Sequence, residues 1–191
     1  MRVLMIGAPG AGKGTQAVRV AEAFRIAHIS SGDLLRDHIR RETAIGRAAK
    51  AYVERGDLVP DAVVLDMLRK PVVAANQAGG YVLDGFPRTV PQAEAAYLAA
   101  KDLGVAVQVA VHLDVPRDEL VRRMLARGRG ADDTQEVIEH RLDVYDEKTV
   151  PLLEYYGKRE RLVSVAGARP VDEVSWSILV QLKERQRTRR A

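Results

Sequence analysis

Cysteine is absent from the sequence. Without thiols the chain can form neither disulfides nor thiolate metal sites, so no structural zinc is expected, and the composition fits a reducing compartment such as the cytoplasm. Aromatic residues are scarce at 5%, with one tryptophan and two phenylalanines. A groove that stacks bases on aromatic rings has little to build with. No nucleic-acid partner is therefore expected, although a net charge of +4 and a pI of about 9.5 allow anionic partners. No apolar run approaches the roughly 18 residues of a membrane span, and no membrane association is expected. The apolar start, Met1 to Gly7, is too short for a signal peptide and reads as a strand. There are no repeats, low-complexity tracts or linkers. What remains is 191 residues, 47% hydrophobic and 29% charged, which suits one globular domain with a sizeable core. The densest basic cluster, Lys183, Arg185, Arg187, Arg189 and Arg190, reads as a solvated helix end that frays. Several other arginines stand beside glycines, a pattern that suits small anions.

Short apolar runs alternate with helical patterns. Residues 3–6, 28–30, 81–83, 105–113 and 162–165 read as five strands. Ala17, Val18, Ala21 and Phe24 recur at helical spacing after the first. This alternation predicts an α/β fold, a five-stranded parallel sheet with helices on both faces and right-handed crossovers. Two stretches interrupt the rhythm. Residues 30–73 are mainly helical, with turn signals at Gly46 and at Gly56-Asp57, and with Asp61 placed to cap the helix through Val64, Leu65 and Leu68. Residues 127–133 join a helix led by Pro116 to one beginning near Thr134, where Asp133 and Glu136 have capping-box spacing.

Gly7-Ala8-Pro9-Gly10-Ala11-Gly12-Lys13-Gly14-Thr15 follows a buried strand and opens a helix. That is the context a phosphate-binding loop requires. Glycines let backbone N–H groups curl around an oxyanion, and the helix N-terminus adds partial positive charge. Lys13 can reach the outer phosphates of a nucleotide as a point charge. Thr15 is expected to offer its hydroxyl to magnesium or phosphate. Asp84, at the end of the third strand, is expected to hold Mg2+, often through water. The four histidines, His28, His38, His112 and His140, have no metal-like spacing and read as structural or exposed. Tyr155 and Tyr156, beside Leu152 and Leu153, read as core.

Ser30-Ser31-Gly32-Asp33-Leu34-Leu35-Arg36 follows the second strand, and Asp84-Gly85-Phe86-Pro87-Arg88-Thr89 follows the third. With the phosphate loop through Gln16, and with Arg127-Gly128-Arg129 and Arg141-Leu142 farther on, these four motifs resemble the adenylate kinase family over nearly the full length. The resemblance implies one core domain, residues 1–191, carrying a helical nucleoside-monophosphate insert at 30–59 and a short lid at 126–133. It implies transfer of the ATP γ-phosphoryl group to AMP, giving two ADP, with Mg2+ and no zinc, by a monomer. Gly10, Ala11, Gly12, Lys13, Gly14 and Thr15 would hold ATP phosphates. Arg123 would lie near the ATP adenine, Arg127 near its phosphates, and the backbone of Gly167 near adenine. Arg36 and Arg88 would hold the AMP phosphate. Ser31, Asp57, Leu58, Val59, Gly85, Phe86, Pro87 and Gln92 would surround AMP, and Arg129 and Arg141 would close over the transferred group. Lys13, Arg88, Arg127, Arg129 and Arg141 would carry catalysis. Ser31 and Gln92 favour AMP over the pyrimidine monophosphates of the related UMP/CMP kinases, which remain the alternative, ahead of a nucleotide-hydrolysing switch.

Overall fold

A computed structural model describes residues 1–128 and 134–188. Five strands, β1 (Arg2–Ile6), β2 (Ala27–Ser30), β3 (Tyr81–Asp84), β4 (Val109–Asp114) and β5 (Leu162–Ala166), form one sheet in the order β2-β3-β1-β4-β5. Every neighbouring pair is parallel. The expected α/β architecture is thus the observed one. β1 shows why its sequence is a continuous apolar run. Val3 and Met5 enter the core on one face, Leu4 and Ile6 the core on the other. A strand covered on both faces needs no polar side.

Helices α1 (Lys13–Phe24), α6 (Arg117–Arg127), α7 (Gln135–Val144) and α9 (Val171–Thr188) contribute to the first core. Helices α2 (Ser31–Arg40), α3 (Ala44–Arg55), α4 (Asp61–Gln77), α5 (Val90–Lys101) and α8 (Pro151–Gly157) contribute to the second. A single π-helical turn, Tyr145–Thr149, links α7 to α8. Among the described residues no helix is long and apolar enough to cross a membrane.

The structure corrects several local expectations. β4 begins at Val109, not at residue 105. The backbone N–H of Val105 is spent on the carbonyl of Ala100, closing the end of α5. Gly46 is not a turn but lies within the first turn of α3. A Cβ there would stand 2.1 Å from the carbonyl oxygen of His38, so this glycine lets α3 lie against the end of α2. Asp61 is the first residue inside α4, and Pro60 is the cap. The freed carboxylate accepts a hydrogen bond from Gln92 Nε2 at 2.6 Å. In α1 the buried stripe is Ala17, Val20 and Ala21, with Val18 facing solvent. Thr134 caps α7 by accepting from the N–H of Val137, while Asp133 lies outside the described residues. α9 takes in the first part of the basic tail, to Thr188, where Arg185 donates to the carbonyls of Glu160 and Leu162, while Arg189 and Arg190 lie outside the described residues.

Candidate active site

The connection after β1 runs to one side of the sheet and the one after β4 to the other. Such a switch opens a crevice at the carboxyl ends of the strands, where parallel α/β sheets place ligands. The loop of residues 7–12 lies there. Gly12 holds the N-cap position of α1 with φ 91°, a left-handed conformation that glycine adopts without penalty. Elsewhere in the fold, Ser30, Thr43, Thr89 and Thr134 cap α2, α3, α5 and α7 with their hydroxyls. No side chain caps α1, and its first turn has no acidic residue. Its N-terminal N–H groups and partial positive charge are left for an anion.

Lys13 is the first residue of α1, and its ammonium donates to the carbonyl of Ala8 at 2.9 Å. The side chain keeps part of its surface in solvent, yet the charge is ringed by protein. Its pKa falls from 10.5 to about 8, first through burial and then through Arg88, Arg141 and Arg127, with Asp84 opposing. Asp84 ends β3 in register with Met5 of β1, beside the loop. It is 9% exposed, and its buried Oδ1 has no hydrogen-bond partner. A carboxylate oxygen in that position fits a site for a hydrated cation, since buried polar atoms are ordinarily paired. Among the described residues no cluster of three or more metal-ligating side chains occurs, so a cation here would keep most of its own waters.

Beyond Asp84 the chain turns at Gly85. A Cβ at Gly85 would lie 2.5 Å from Ser31 Oγ, and φ is 87°, so the position takes only glycine. The peptide between Phe86 and Pro87 is cis. Arg88 is held on all sides. Its Nε donates to the carbonyl of Gly85 at 2.7 Å, its backbone N–H donates to Gln92 Oε1 at 2.7 Å, and its carbonyl accepts from Thr149 Oγ1 at 2.8 Å. Burial pushes the guanidinium pKa down, Asp84 pulls it up, and Arg36 pushes it down again.

Two adjoining pockets bring the expected residues together. One is lined by Lys13, Arg88 and Arg141 with Gly56, Leu58 and Pro87. The other is lined by Arg36, Arg88 and Arg141 with Ser31, Asp57, Leu58, Val59, Gly85, Phe86 and Gln92. Arg88 and Arg141 belong to both. Gln92 is 3% exposed and spends one lone pair on Arg88 and one N–H on Asp61, leaving one of each. Arg36 pairs with Asp33 at the edge of the second pocket. On the β5 side Arg123 NH2 donates to the carbonyl of Gly167 at 3.1 Å, which joins two residues far apart in sequence. Arg127 ends α6. Gly10, Ala11, Gly14 and Thr15 lie in the loop and the first turn of α1. Arg129 lies outside the described residues.

Sequence reasoning missed three contributors. His140 Nε2 lies 2.9 Å from Asp57 Oδ1, tying α7 to the segment after α3. Hydrogen bonds from His140 and Arg55 hold the Asp57 carboxyl below the usual carboxylate range. Its position beside Arg141 was the only available signal. Thr149 and Asp61 position Arg88 and Gln92, and neither lies near a motif.

Comparison with known proteins adds an independent finding. A family model described as adenylate kinase matches residues 5–161. Curated relatives named adenylate kinase include one from Mycobacteroides abscessus, 47% identical over 174 residues, covering 91% of this chain and 94% of the relative. Another, from Rhodococcus erythropolis, is 46% identical over 182 residues, 95% and 99%. A third, from Lachnospira eligens, is 40% identical over 209 residues, 94% and 98%.

Proposed function

The chain belongs to the adenylate kinase family, and we propose that it catalyses reversible transfer of the γ-phosphoryl group of ATP to AMP, giving two ADP. The observation that carries this reading is the shared lining of the two pockets. Arg88 and Arg141 border both the cavity that holds Lys13 and the cavity that holds Ser31 and Gln92.

In this reading the polyphosphate of ATP rests on the uncapped N-terminus of α1. Backbone groups of Gly10 to Thr15 donate to it, and Lys13 pairs with the outer phosphates. AMP lies in the second pocket, its phosphate on Arg36 and Arg88 and its base among Ser31, the 57–59 segment and Gln92. Gln92 has one N–H and one lone pair left for adenine. Arg123 and the backbone of Gly167 flank the donor base. An oxygen of the AMP phosphate attacks the γ-phosphorus in line, and the bond to the β,γ-bridging oxygen breaks. The acceptor is already an anion, so the step needs positioning and charge neutralisation rather than a strong base. Arg88, Arg127, Arg129 and Arg141 meet that charge with planar forks suited to phosphate oxygens. Thr15 and Asp84 are the residues that would hold Mg2+, which neutralises β- and γ-phosphate charge when bound. Residues 30–59 and 126–133 act as closing segments that exclude water. The working unit is a cytoplasmic monomer without zinc.

A monophosphate panel tests the proposal. Purified protein with ATP and Mg2+ should form ADP fastest with AMP. Faster turnover of UMP or CMP would overturn the acceptor, and ATP breakdown that ignores every monophosphate would overturn transfer itself.

A further inference from the structure

A further cavity lies outside the cleft. It holds about 480 Å³, within the range of small-ligand sites. It sits between α4, α5 and α8 over β3. Its origin is legible in the sequence, because α5 lines it with Ala93, Ala96, Ala99 and Ala100, side chains too short to meet the opposite wall. Phe86 and Pro87 separate it from the two pockets of the cleft, since these residues line both sides. Tyr97 and Leu103, 38% and 56% exposed, mark its open mouth.

The cavity is lined mainly by apolar side chains, with cationic groups among them. Arg69, Arg159 and Arg161 line it against one acid, Asp66. The Arg159 guanidinium lies 3.7 Å over the Tyr155 ring, and Arg161 donates to the carbonyl of Val107 at 3.0 Å, which leaves further N–H groups on each. Tyr156 is the second sign. It is 5% exposed, yet its hydroxyl forms no hydrogen bond among the described residues, whereas Tyr81 in the same lining donates to the carbonyl of Val105. Tyr156 lines the cavity, and its oxygen is not sealed off by protein. The Tyr156 ring packs edge-on against Tyr155, with centroids 5.1 Å apart, and Arg159 stacks on that same Tyr155 ring, so the phenol and the cation are close neighbours. An anionic head placed there would supply an acceptor to Tyr156 and a counter-charge to the arginines.

We propose that this cavity binds a single-chain fatty carboxylate, its tail along the alanine face of α5 and its head on Tyr156, Arg159 and Arg161. Calorimetric titration of the intact protein with dodecanoate, below its micelle concentration, tests this. Saturable one-to-one binding is expected. Ala96→Trp should abolish it by filling the hollow, and Arg159→Gln with Arg161→Gln should weaken it at least tenfold. Ala100→Leu and Tyr156→Phe provide a milder pair should the larger changes disturb folding, which circular dichroism reports, and each should weaken binding severalfold. Absence of saturable binding to the wild-type protein would overturn the proposal. So would dodecanol or dodecyltrimethylammonium binding as tightly as dodecanoate, or dodecanoate binding that the cavity-filling and arginine variants leave unchanged.

Discussion

Raising the pH of the ligand-free protein should stabilise it through Lys13. The folded-state pKa lies at about 8 against 10.5 for the free side chain, with burial as the larger cause. Below pH 8 both states carry the proton, and the folded state bears the full cost of confining the charge. Between about 8 and 10.5 the folded state sheds its proton before the unfolded state does. The unfolded state then binds more protons, so stability rises with pH through that window. At about 1.4 kcal/mol per pH unit the gap caps the gain at ~3 kcal/mol. The side chain keeps some solvent contact, and screening brings the expectation to ~1–3 kcal/mol. Urea unfolding of the wild-type protein and of Lys13→Met, from pH 7 to 10.5, isolates this contribution, because the other lysines and the tyrosines cancel in the difference. Wild type should gain on the variant by that amount. A flat difference would refute the burial argument. Bound polyphosphate should reverse the sign, since it favours the ammonium, so ATP affinity should fall as the pH passes 8.

Other residues give further expectations. Arg88→Lys loses the bidentate fork while keeping the charge, and kcat with AMP should drop by ~10² or more, a lower bound drawn from arginines in phosphoryl transfer. Unchanged kcat and KM would count against the assignment. Asp84→Asn should raise the Mg2+ concentration for half-maximal activity and, by removing the opposing charge, push the Lys13 pKa below about 8. A Mg2+ titration and a pH profile read the two effects separately. Thr149→Val leaves the Arg88 carbonyl without its side-chain donor, and should raise the KM for AMP severalfold while sparing that for ATP, at a stability cost of ~1–3 kcal/mol. Leu4→Ala, at a fully buried site in the central strand, should cost ~2–5 kcal/mol by urea unfolding.

The parts of the fold that were legible in the sequence share a physical reason. A strand covered on both faces must be apolar throughout, so β1 and the sheet class could be read directly. The loop from Gly7 to Thr15 declares itself because an anion cradle needs glycine and lysine at fixed spacing. What stayed hidden was set by partners distant in the chain. Gly46 looked like a turn because nothing local reveals that the end of α2 presses on it. Residues 105–108 looked like strand because apolar character does not disclose which N–H groups reach the ladder. Asp61 had every local mark of a cap, yet its carboxylate serves Gln92, thirty-one positions away. His140 and Asp57 form a pair that only the packing of α7 against the 56–59 segment creates.

In the proposed reaction Lys13 and Arg88 grip one phosphoryl group as it passes between two nucleotides. Supplying ATP labelled at the γ-phosphorus together with AMP, and separating the products, tests it most directly. The label should appear in ADP at the rate ATP disappears, with no transfer in Lys13→Met. Label released as inorganic phosphate at the same rate with or without AMP would contradict the claim.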